Sequence, residues 1–282
     1  MGERRVAQVA ISPSGRWFAA GSVSGQFAVW QTEHAEQAQY FRIRDATPRA
    51  LAFNPDEDQL AIAHSAGLSL KPVREMGAAQ AVRSDSGFRA AAYRPKSGSL
   101  LAASDGGVIQ WIGGATCCGP ARAFDLSPDG AVIATSGSWP ALWNAASGKL
   151  VARLTRDGEF ADFGPIAFDR PRGLVWMGSR DGRVYAWDLQ SHSLSAKSLE
   201  PAGSVDSLAV LKSSPWIVFA KTSAPLHMWN PDTGEMRSLD ALPYSNVVAG
   251  PKPSSVLFGN YAGSVELWNA ETGAVLSRFT LR

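Results

Sequence analysis

Short apolar runs punctuate the whole chain: WFAAG (17–21), QLAIAH (59–64), SLLAAS (99–104), AVIATS (131–136), LVWMGS (174–179), WIVFAK (216–221) and SVLFGN (255–260). They are too short for helices and rich in β-branched and aromatic residues, so they predict buried strands. Turn sequences precede most of them: ISPSG (11–15), FNPDE (53–57), YRPKSG (93–98), LSPDG (126–130) and FDRPRG (168–173). Proline presets φ for the second turn position, and Asp, Ser and Gly suit the others. A tight turn such as SRDGR (179–183) follows, and then a second apolar strand that carries a tryptophan. No long stretch has the apolar spacing of a helix.

The tryptophan strands repeat. FAVWQ, VIQWI, PALWN, VYAWD, LHMWN and VELWN place Trp30, Trp111, Trp143, Trp187, Trp229 and Trp268 at successive gaps of 81, 32, 44, 42 and 39 residues. The gap of 81 is two periods, and GLSLKPV near its midpoint puts Lys71 where a tryptophan is expected. A period of about 40 residues is that of a four-stranded propeller blade. Each unit reads as strand a, turn, strand b, tight turn, strand c with its tryptophan, and a more polar strand d. Seven units result, at 4–45, 46–85, 86–119, 120–157, 158–201, 202–240 and 241–282. Sheets of this kind bury both faces when they pack radially, blade against blade.

On these residues the chain resembles the WD-repeat family of β-propellers over essentially its whole length. The resemblance implies a single all-β, seven-bladed ring of antiparallel blades. The Trp-Asp dipeptide occurs once in phase, at Trp187 and Asp188, with Ser179 and Asp181 upstream at fitting positions. None of the four histidines precedes a strand a. The family's buried Trp/Ser/Asp/His network is therefore expected to be absent or partial. The chain opens on strand a of blade 1 and ends on strand d of blade 7, so no swapped strand is expected to close the ring.

Composition narrows the class. Hydrophobic residues make up 45%, aromatics 10% and charged residues 18%, which excludes disorder for most of the chain. A net charge of +2 argues against nucleic acid as a partner. No apolar run is long enough to insert in a membrane, and the N-terminus lacks an apolar leader, so a soluble, intracellular, cytoplasmic protein is the expectation. Cys117 and Cys118 are adjacent, which is neither a disulfide framework nor a zinc pattern; free thiols are expected, with a strained vicinal disulfide as the alternative. The histidines scatter over unlike positions, so neither metal nor cofactor is called for. No nucleophile or phosphate-loop motif is present. The acidic run Asp56, Glu57 and Asp58 lies in a turn and reads as solvated.

One column carries candidate chemistry. Aligned on strand a, the residues four places before Ile11, Phe53, Tyr93, Leu126, Phe168 and Val210 are Ala7, Arg49, Arg89, Arg122, Gly164 and Asp206. In the family, strand a lines the central channel and begins near the top face. The resemblance thus implies a basic arc of Arg49, Arg89 and Arg122 on neighbouring blades. Guanidinium groups bind carboxylate or phosphate bidentately, so an acidic peptide segment is the expected ligand. Trp139 in the b–c turn SGSWPAL would be a binding anchor if exposed, but is expected to be partly covered, and Tyr244 and Phe163 at strand-a entries would extend the patch. The resemblance implies a non-enzymatic scaffold that binds other proteins within a larger assembly. A ligand-sensing domain of a regulatory protein, and an enzyme built on the propeller loops, stay open as alternatives.

Overall fold

The computed structural model describes residues 5–75, 77–83, 85–155, 162–198, 203–221, 225–239 and 244–281. Seven four-stranded antiparallel sheets form a ring, and each is built from four consecutive strands, a to d. The a strands are Val6–Ile11, Pro48–Phe53, Phe88–Tyr93, Phe124–Leu126, Phe163–Asp169, Val205–Val210 and Tyr244–Ala249. Each lies against strand a of the next blade, and that of blade 7 meets that of blade 1. No helix occurs among the described residues.

The tryptophan column is a register column. Strands b and c pair Phe18 with Trp30, Leu60 with Lys71, Leu101 with Trp111 and Ile133 with Trp143. Val175, Ile217 and Val256 pair likewise with Trp187, Trp229 and Trp268. Lys71 therefore stands in the tryptophan place of blade 2, buried, with its ammonium donating to Oε1 of Gln39 and to the carbonyls of Pro72 and Glu75. Burial lowers its pKa.

The indole network is partial. Trp143 Nε1 donates to Thr135 Oγ1 at 2.9 Å within blade 4. Trp187 instead donates to the carbonyl of Thr155 in blade 4 at 2.9 Å. Ser179 and Asp181 serve their own b–c turn, where Asp181 accepts from the Arg183 N–H at 3.0 Å and from the Tyr185 hydroxyl at 2.6 Å.

The core lies between blades, in clusters that join one sheet to the next. At the 7–1 seam, Leu257, Val265 and Phe279 pack with Val6, Val9, Phe18 and Trp30. Asn246 Oδ1 accepts from the Val9 N–H across the same seam at 3.1 Å. A recurring joint explains why packing suffices here. Near the end of strand b, Gly21, Gly178 and Gly259 let the first strand-a residue of the next blade, Pro48, Val205 or Val6, lie on the backbone. The seam uses the same joint as two internal blade junctions, and among the described residues no swapped strand takes part.

Three expectations change. Glu57 is buried rather than solvated, because its carboxylate ties blade 2 to blade 1, accepting from the Ser14 N–H at 2.5 Å and Oγ at 2.7 Å. Burial acts to raise its pKa, and the Ser14 hydrogen bonds outweigh that and hold it below the usual carboxylate value. Phe163 is buried, edge-on to Tyr185 at 5.5 Å and Trp187 at 5.2 Å, so it belongs to the core and not to a surface patch. Cys117 and Cys118 form a vicinal disulfide. The left-handed φ of 67° at Cys118 breaks strand alternation and brings both side chains to one side.

Candidate functional site

A β-bulge explains the arginine column. In strand a of blade 2 the pairing slips between Pro48 and Ala50, leaving Arg49 as the extra residue. In blade 3 it slips between Phe88 and Ala90, leaving Arg89. In blade 4 the Arg122 N–H and the Ala123 carbonyl both bond to Ser136, so two residues oppose one. The same slip falls at Ala7 in blade 1, Asp206 in blade 6 and Ser245 in blade 7. A bulge breaks the alternation of side chains and re-aims one of them. Here it points residues from successive blades to one end of the ring, the face that carries the b–c turns.

The arginines are not open cations. Arg49 Nη1 pairs with Asp105 Oδ1, and Arg89 Nη2 donates to the Asp105 carbonyl with its Nε 4.0 Å from the same carboxylate. Arg122 Nη1 lies 3.5 Å from Asp162 Oδ2, and Arg180 Nε lies 2.7 Å from that oxygen. The expected basic arc is thus a mixed lattice, four guanidinium groups around two carboxylates, with positive charge in excess. All six side chains are partly exposed, so each pair alone contributes little to stability. Asp105 and Arg180 come from b–c turns and Asp162 from just before strand a of blade 5, none of them in the column that singles out the others.

Arg89, Asp105, Arg122, Asp162, Arg180 and Trp139 line one cleft of about 520 Å³. Trp139 is 57% exposed rather than covered, with the Arg153 guanidinium 5.4 Å above its ring. Arg49 borders the cleft through Asp105. Tyr244 begins strand a of blade 7, and its side chain lies outside the described residues. Trp30, Trp187, Trp229 and Trp268 are buried, while Trp111 and Trp143 are partly exposed.

Two titratable groups on these blades have shifted pKa values, His64, which is buried, and Asp125, which is half-buried. His64 is within hydrogen-bond distance of Ser69 Oγ at 3.0 Å, and burial together with the charge of Arg49 holds its pKa below the usual histidine value. Asp125, in the middle of strand a of blade 4, accepts from its own neighbour's N–H at Leu126 at 2.8 Å. Burial pushes its pKa up to about 7, against the hydrogen bonds from the Leu126 and Phe168 backbones. Among the described residues no group of three His, Cys, Asp or Glu is placed to hold a metal. Nor is any helix there long and apolar enough to cross a membrane.

The model of the WD domain, G-beta repeat family matches residues 2–31, most of blade 1. The match covers one blade of the seven, and together with the ring it supports the likeness to WD-repeat β-propellers. WD-repeat propellers generally serve as protein-interaction scaffolds. No curated protein matches the chain. In this propeller the distinctive chemistry sits on blades 2 to 5, at the bulges and the b–c turns beside them.

Proposed function

We propose that this propeller is a non-enzymatic interaction platform, a subunit of a larger assembly, and that it captures an acidic segment of a partner protein on the face of the b–c turns. One observation carries the reading: guanidinium groups from four successive blades converge around two carboxylates beside an exposed tryptophan. Arginine and tryptophan are the side chains that most often dominate binding at interfaces. The lattice holds each guanidinium in place before binding, so little side-chain entropy is lost on docking. An incoming carboxylate competes with Asp105 and Asp162 for donors already aimed at the cleft, and the excess positive charge favours its entry.

The test is affinity capture from the native cell at near-physiological salt, read by mass spectrometry. The wild type runs beside a protein carrying Arg49→Glu, Arg89→Glu and Arg122→Glu together. The expected result is a stoichiometric protein partner that the triple variant loses while keeping its thermal transition. Equal capture by the two proteins would overturn the assignment of this face.

A further inference from the structure

Blade 3 is the thinnest of the seven. Its strand d is Thr116–Cys117, two residues, where every other blade has at least four. The chain then turns through Cys118 and Gly119 and enters blade 4 at Pro120. Strand d is the outermost strand, and a full one would fill the gap against the outer part of the next blade. Its truncation leaves a slot of about 230 Å³ between blades 3 and 4, walled by Gly119, Pro120, Trp139, Ala141, Trp143 and Arg153. The walls are apolar except for Arg153, whose guanidinium lies over Trp139. Pro120 and Trp139 also wall the charged cleft, so the two cavities share a rim.

We propose that cleft and slot form one composite site for an extended peptide in which an acidic residue lies close to a bulky apolar one. The acidic side chain enters the arginine lattice, and the apolar side chain turns over the rim into the slot beside Trp139. This rests on the reading above that the cleft takes an acidic segment. Charge selects the occupant: Arg89, Arg122, Arg153 and Arg180 surround the two cavities against Asp105 and Asp162. A purely apolar segment would leave these cations unanswered, and a purely acidic one would leave the Trp139 and Trp143 rings in water. An aromatic ring in the slot would lie against both indoles, a contact worth more than its area alone.

The probes are fluorescein-labelled peptides GDEGFGS, GDEGAGS and GNQGFGS, with the Phe also moved one place in either direction, read by fluorescence anisotropy. The proteins are wild type, Trp139→Ala, Gly119→Leu and Arg122→Glu. Trp139 is exposed in a turn, so its loss spares the fold. A Cβ at Gly119 would meet Trp143 Cη2 and Cζ2 at 3.4 Å, ordinary contact, so Gly119→Leu plugs the slot without removing a ring. The best acidic-plus-Phe peptide should bind wild type at least ~10-fold tighter than GDEGAGS, as a central anchor does. Trp139→Ala and Gly119→Leu should each erase that advantage, and Gly119→Leu, which lies outside the cleft lining, should leave GDEGAGS unchanged, while Arg122→Glu should weaken both peptides. If Phe adds nothing, or if neither slot variant matters, the composite site is wrong and the acidic cleft stands. GNQGFGS binding as tightly as its acidic counterpart would make the slot a plain apolar site and overturn the proposal. No binding by any acidic peptide would overturn the cleft and the slot together.

Discussion

Asp125 is a half-buried acid on strand a of blade 4, and removing its charge should change how the fold responds to pH. The residue sits between Phe124 and Leu126 in strand a of blade 4, against strand a of blade 5. Burial raises its pKa from the ordinary 3.8 to about 7. A difference of about 3 pH units corresponds to at most about 4 kcal/mol at about 1.4 kcal/mol each, an upper limit because the half-buried carboxyl is partly screened by water. The sign follows from proton counting. Well below pH 3.8 the carboxyl is protonated in both states and costs nothing; as pH rises, the unfolded chain releases its proton first, so folding stability falls until the folded group ionises near pH 7. Between pH 5 and pH 8 that loss is at most about 3 kcal/mol. Asp125→Asn keeps the shape and the acceptor oxygen but has no charge to bury. Its stability relative to wild type should therefore climb over that range, by at most about 3 kcal/mol. Other titrating groups are shared by the two proteins and cancel in the difference. Urea unfolding followed by tryptophan fluorescence at pH 5, 6, 7 and 8 measures it. A difference that stays constant across the range would mean that water screens the carboxyl fully, and would refute the reasoning.

Two further substitutions probe the packing. Gly259→Ala drives a Cβ into the Val6 side chain at the 7–1 seam and should cost about 1–3 kcal/mol in urea unfolding, with Val6→Ala in the same protein recovering part of it. Phe163→Ala empties a fully buried ring site between Tyr185 and Trp187 and should cost about 3–5 kcal/mol by the same measurement.

Most of the fold was legible because its signals are local. Strand length, turn residues and the tryptophan period each lie within one blade, and a ring repeats them. The arginine column was legible for a subtler reason: the bulge recurs at a fixed distance from the end of strand a, so alignment on the strand end finds it without any knowledge of its geometry. What the column could not show is the company its members keep. Arg49 meets Asp105 and Arg122 meets Asp162 only because the ring sets one blade's strand-a entry beside the next blade's b–c turn or entry segment, at sequence separations that no local pattern encodes. Phe163 marks the same limit within a single strand: it stands one place before the column, and the alternation that the bulge interrupts sends it inward to Trp187. Trp139 takes part in something more distant still, a slot that it shares with Gly119 just after the two-residue strand d of another blade. The shortness of the ATCCGP segment was visible in the sequence, but its consequence lies in what it fails to cover. Charge balance and exposure in a propeller are properties of adjacent blades taken together, and for that reason the slot between blades 3 and 4 belongs to the recognition chemistry of the cleft above it.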